Sequence, residues 1–212
     1  MHFDLSVYFI LDPSVCRFRS VTKVAREAVR GGVTMLQLRN KVDPLDMVDE
    51  QARALMGVLE GTGVPLIIND HVELACKVGA DGVHVGQGDR DVASAREMMG
   101  EDKIVGLTAF NQMHYDAIDV DKVDYVGTGP IYPTMTKPDK PVMGLDGFAE
   151  LVQVAPVPVI GIGGINAENS SDVIRAGAQG VAMMRAISMA DDIEGAAKSI
   201  VEAVALGRCD AT

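Results

Sequence analysis

The sequence has no surplus of basic residues. Nineteen Lys and Arg stand against thirty Asp and Glu, a formal net charge of −11 at pH 7. That balance excludes a nonspecific nucleic-acid binder, which needs a basic footprint. It leaves room for small anionic ligands, because a pocket can be locally positive inside an acidic protein. Cysteine is scarce: Cys16, Cys76 and Cys209 match no zinc or redox spacing. An unclustered odd count fits a reducing compartment, so a cytoplasmic location is expected. No apolar run approaches the ~20 residues that cross a bilayer, and no membrane partner is expected. Met1-His2-Phe3-Asp4 does not lead from a basic segment into an apolar one, so no signal peptide is expected. No Ser-His-Asp or Cys-His arrangement stands out, and His2, His71 and His114 lack metal-ligand spacing.

What is present is a regular alternation. Strand-like runs are read over 6–12, 34–39, 65–69, 82–86, 104–107, 125–129, 157–162 and 180–184. Between and after them, helical patterns fall at 20–30, 44–59, 72–78, 92–99, 112–120, 145–154, 168–175 and 193–206, with Pro44 at a plausible first-turn position. Strands alternating with helices imply βαβ units and a parallel sheet. Eight units fit a closed α/β barrel, a single (β/α)8 TIM-barrel domain over 1–212. Such barrels take about 250 residues, with about 200 as the lower end, so the loops must be short. The long irregular stretch at 130–144 is the exception, and a loop of ~15 residues in a compact domain is usually functional or disordered.

Polar residues gather just past these strands, at the face where (β/α)8 enzymes keep their active sites. Asp70 and Asp89 follow neighbouring strands. They suit magnesium, which takes one or two carboxylates and completes its shell with water and phosphate oxygens. The competing reading of Asp70 is a cap for the next helix. Arg39 and Lys41 offer a fork and a mobile point charge for phosphate. Gln37 shares the strand face of Arg39 and needs partners, which a ring nitrogen or amine would supply. Thr134-Met135-Thr136-Lys137 carries hydroxyls, amides and a charge toward phosphate oxygens. Gly163-Gly164 and Met184-Arg185 follow strands seven and eight, whose loops frequently build phosphate sites. His84, inside strand four, reads as a packed, hydrogen-bonded core residue.

Taken in order, Gly31-Gly32-Val33-Thr34 with Gln37-Leu38-Arg39-Asn40-Lys41, Ile67-Ile68-Asn69-Asp70, Gly79 to Asp89, Tyr125 to Lys137 and Gly161-Ile162-Gly163-Gly164-Ile165 resemble the thiamine phosphate synthase family. The likeness runs over nearly the whole chain. It implies a transferase that joins a hydroxymethylpyrimidine diphosphate to a hydroxyethylthiazole phosphate, with Mg2+. By resemblance, Gln37, Arg39 and Lys41, within a substrate-binding segment that includes Leu38 and Asn40, hold the pyrimidine diphosphate together with Asn69. Thr108 and Lys137 contact the diphosphate, and Thr134, Met135 and Thr136 lie at the thiazole phosphate. Gly164, Met184 and Arg185 complete the monophosphate site, while Asp70 and Asp89 hold magnesium. A homo-oligomer is left open.

Two positions depart from the family pattern. Phe110 stands where a histidine is common, and Arg185 where a small hydroxyl residue is common. A related group isomerises the thiazole with that histidine, and Phe110 argues against this activity because it cannot transfer a proton. A non-catalytic thiamine phosphate-binding regulator is the other alternative; it would need the pocket without the leaving-group machinery.

Overall fold

A computed structural model describes residues 3–136 and 141–210. Eight parallel strands close into a barrel in chain order, β1 (Val7–Leu11), β2 (Met35–Leu38), β3 (Leu66–Asn69), β4 (Gly82–Val85), β5 (Ile104–Thr108), β6 (Tyr125–Thr128), β7 (Val159–Ile162) and β8 (Gly180–Met183), with β8 pairing back onto β1. Around them run α1 (Val21–Arg30), α2 (Leu45–Leu59), α3 (Val72–Val78), α4 (Val92–Met99), α5 (Gln112–Asp116), α6 (Gly144–Gln153), α7 (Ser170–Arg175), α8 (Arg185–Ser188) and α9 (Ile193–Cys209). This is the (β/α)8 barrel expected from the alternation.

Strand side chains alternate between two layers. Phe9, Leu11, Leu36, Leu38, Ile68 and Val83 point outward and pack with the helices. Tyr8, Ile10, Met35, Ile67, Tyr125 and Ile160 fill the barrel interior. Gln37 takes an interior position on β2, between its outward neighbours Leu36 and Leu38.

Several boundaries differ from the sequence reading for local reasons. Pro44 is the N-cap of α2 rather than its first helical residue. α5 ends at Asp116 instead of reaching 120, because Asp119 accepts the backbone N–H of Asp121 and opens a turn. α7 starts at Ser170 because Asn166 Oδ1 accepts from Glu168 N and Asn169 N and holds that segment out of the helix. Strand eight ends at Met183, one residue earlier than read, and Arg185, which follows it, opens the short helix α8.

Candidate active site

At the C-terminal mouth of the barrel lies a cavity of about 500 Å³, within the size range of small-molecule sites. It gathers Gln37, Arg39, Asn69 and Thr108 on the β2–β5 side. The β6, β7 and β8 loops contribute Thr134, Met135, Thr136, Gly164, Met184 and Arg185. Phe110 also lines it, with its ring edge-on to His114 at a centroid distance of 4.3 Å.

Arg39 is fixed by a residue the sequence reading did not single out. Asp12, which follows β1 and is buried, takes the Arg39 guanidinium through Oδ2 and the Ser14 N–H and hydroxyl through Oδ1. A carboxylate one residue past a strand was its signal.

Lys41, Asp70 and Asp89 do not line the cavity itself. Lys41 Nζ lies 2.6 Å from Asp70 Oδ2. Asp70 is not a helix cap: His71 precedes α3 and makes no capping bond with its side chain. Instead Asp70 holds φ +62°, a left-handed backbone unusual for a non-glycine residue. Asp89 Oδ2 accepts the Gly86 N–H at 2.9 Å, while Gln87 Nε2 reaches the Thr108 carbonyl at 2.6 Å and ties the β4 loop to the end of β5. Among the described residues no three His, Cys, Asp or Glu side chains form a metal cluster. Asp70 and Asp89 each offer oxygen donors, the ligand type that a hard cation takes.

Two residues of the β2 segment face elsewhere. The Leu38 side chain is buried in the strand–helix layer. Asn40 organises its own loop, donating to Asp43 Oδ2 and Gln51 Oε1 and accepting from Val42 N and Asp43 N. Its short amide satisfies turn backbone instead of reaching the cavity. Lys137 lies outside the described residues.

The loops after β6 and β7 are zipped together. Ile131 N donates to Ile162 O and Tyr132 N to Gly163 O, both at 3.0 Å. Gly164, at φ +68°, passes so close that an added Cβ would stand 2.6 Å from the Pro133 carbonyl oxygen. Arg185 stands on the first turn of α8, and its Nη1 lies 3.2 Å from Met189 Sδ.

His84 is hydrogen-bonded as the sequence suggested, but at the cavity wall. Nδ1 faces the Tyr125 hydroxyl and Nε2 the Thr108 hydroxyl, each at 3.0 Å. Tyr8 and Tyr125, also missed, join this cluster from inside the barrel. Their signal was a hydroxyl-bearing ring at an inward strand position.

The fold is a (β/α)8 barrel, and its mouth carries a cavity lined by Arg39, Arg185, threonine hydroxyls and glycine backbone. The thiamine monophosphate synthase family matches residues 7–187, and the chain belongs to that family, whose members are transferases. It is 44% identical to a thiamine-phosphate synthase of Azorhizobium caulinodans over 93% of this chain and 94% of the relative. A Chloroflexus aurantiacus thiamine-phosphate synthase is 42% identical over 93% and 91%. The solved thiamine phosphate pyrophosphorylase of Pyrococcus furiosus superposes with a TM-score of 0.87 at 29% identity, covering 96% of each chain.

Proposed function

We propose that the protein is a thiamine-phosphate synthase. It would condense 4-amino-2-methyl-5-(diphosphomethyl)pyrimidine with 4-methyl-5-(2-phosphoethyl)thiazole, or its carboxylated form, to give thiamine monophosphate and diphosphate. One observation carries the reading: a single cavity holds Gln37, Arg39, Asn69 and Thr108 beside Thr134, Thr136, Gly164 and Arg185. One set suits a pyrimidine diphosphate and the other a monophosphate.

The reaction breaks the bond between the pyrimidine methylene and a diphosphate oxygen, and the electron pair leaves with that oxygen. The ring amino group stabilises the resulting cation, and the thiazole nitrogen then forms the new C–N bond. No protein nucleophile is needed. Arg39, Lys41, Thr108 and Lys137 would meet the charge that grows on the departing diphosphate, the setting in which preorganised donors contribute most. Magnesium held by Asp70 and Asp89 would supply charge neutralisation there. Gln37 and Asn69 would orient the pyrimidine. Thr134, Thr136, Gly164 and the backbone at Met184 and Arg185 would hold the thiazole phosphate in line for attack. Phe110 would wall the site against water.

Release of diphosphate from the two substrates with magnesium is the test. Release accompanied by thiamine phosphate supports the synthase. Aromatisation of a carboxylated thiazole tautomer would instead support the isomerase, and binding of thiamine phosphate without turnover a regulator.

A further inference from the structure

Five polar side chains from five strands form a continuous chain beneath the cavity. Gln37 Nε2 donates to the Tyr8 hydroxyl at 2.7 Å, and the Tyr8 and Tyr125 hydroxyls are 2.9 Å apart. Tyr125 meets His84 Nδ1 at 3.0 Å, and His84 Nε2 meets Thr108 Oγ1 at 3.0 Å. The packing makes room for this chain: a Cβ on Gly106 would collide with Tyr125 Oη and His84 Nδ1.

Each hydroxyl carries one proton, and a neutral imidazole has one donor and one acceptor nitrogen. These rules give the chain a direction. Tyr8 accepts from Gln37, so its own proton goes to Tyr125. Tyr125 accepts that proton and donates its own to His84 Nδ1. His84 must then carry its proton on Nε2 and donate it to Thr108. Thr108, now an acceptor from below, has its own proton available for the cavity. At the other end the Gln37 amide turns its nitrogen toward Tyr8, giving it one N–H, which directs Oε1, an acceptor, away from Tyr8. Burial raises both phenols above their ordinary range, so the protons stay on the chain.

We propose that Tyr8, Tyr125 and His84 are positioning residues. They form a directional relay that couples recognition of the pyrimidine's ring amino group at Gln37 to the hydrogen bond Thr108 gives the diphosphate; this rests on the synthase reading above. A ring with an oxo group in place of the amine presents an acceptor. Where it meets Gln37 Oε1, two acceptors oppose each other, and turning the amide over replaces that repulsion with a hydrogen bond. Every hydrogen bond in the chain then reverses, and the Thr108 proton is drawn down to His84 and away from the leaving group. The relay thus turns a distinction at the ring into a penalty at the bond that breaks.

The test compares the aminopyrimidine diphosphate and its oxo analogue in wild type, Tyr125→Phe, Thr108→Val and the double variant, alongside the 15N spectrum of His84 in the unliganded protein. Absence of coupling by wild type with the amino substrate would defeat the synthase reading, and the spectrum would still judge the relay. The relay predicts His84 protonated on Nε2 in wild type and a mixture of tautomers in Tyr125→Phe. It also predicts a roughly tenfold fall in kcat/KM for the amino substrate in Tyr125→Phe, a smaller preference for amino over oxo, and no added loss when Tyr125→Phe is placed on Thr108→Val. A proton on His84 Nδ1 in wild type, or losses that multiply across the two variants, would overturn it.

Discussion

The Lys41 ammonium sits 2.6 Å from the Asp70 carboxylate, so the group proposed for the diphosphate and the group proposed for the metal form an ion pair. Lys41 is half exposed, and a pair of that kind contributes little to stability, about 0–1 kcal/mol. Its consequence is for binding. Lys41→Met should leave the melting temperature unchanged, tighten binding of a divalent cation alone by a few-fold (about 1 kcal/mol or less,), and raise the KM for the diphosphate substrate. Calorimetric titration with manganese, beside steady-state kinetics, checks both directions. Weaker metal binding in the variant would contradict this role.

Arg39 depends on Asp12. A charged hydrogen bond of this kind contributes about 1.5–3 kcal/mol, so Asp12→Asn should lower kcat/KM by roughly ten- to a hundredfold through a misplaced guanidinium. Asp12 also holds the turn at Ser14, and thermal melts will show whether the fold is kept. A stable variant with unchanged kinetics would separate Arg39 from the reaction.

Gly164→Ala confronts the new methyl group with the Pro133 carbonyl and an unfavourable φ. Left-handed backbone at a residue with a side chain costs about 1–3 kcal/mol. The β6 and β7 loops should part, with KM for the thiazole phosphate rising more than KM for the pyrimidine diphosphate. Equal changes in the two constants would argue against placing the monophosphate there.

All four tyrosines have hydroxyls raised above the ordinary phenol value of 10.0, in each case chiefly by burial. The folded protein therefore keeps these protons at a pH where the unfolded chain releases them. Stability from this source is fully present below pH 10.0 and falls as the pH climbs above it. Tyrosinate absorption from Tyr8 and Tyr125 should stay nearly absent through the ordinary range and then rise together with unfolding. The chain has no tryptophan, so the signal is clean. A rise near pH 10.0 that accounts for all four tyrosines in folded protein would contradict the burial of Tyr8 and Tyr125.

The barrel was legible because each βαβ unit repeats the same alternation, and the lining of the cavity because residues such as Gln37, Arg39 and Thr108 sit at or near strand ends. Residues that act through others were not. In sequence Asp12 is only the end of an apolar run, and its pairing with Arg39 arises from β1 and β2 lying side by side. Tyr8, His84 and Tyr125 are far apart in sequence and meet only when the barrel closes. Asn40 and Leu38 belong to the same short segment as Arg39, but strand alternation turns Leu38 outward and a local turn consumes Asn40.

The most direct test of the account is product stoichiometry in a single turnover, with excess protein, both phosphorylated substrates and magnesium, read by mass spectrometry. The account predicts one thiamine monophosphate for each diphosphate released, with little hydrolysed pyrimidine alcohol. Diphosphate released without thiamine monophosphate, or no release from folded protein, would contradict it.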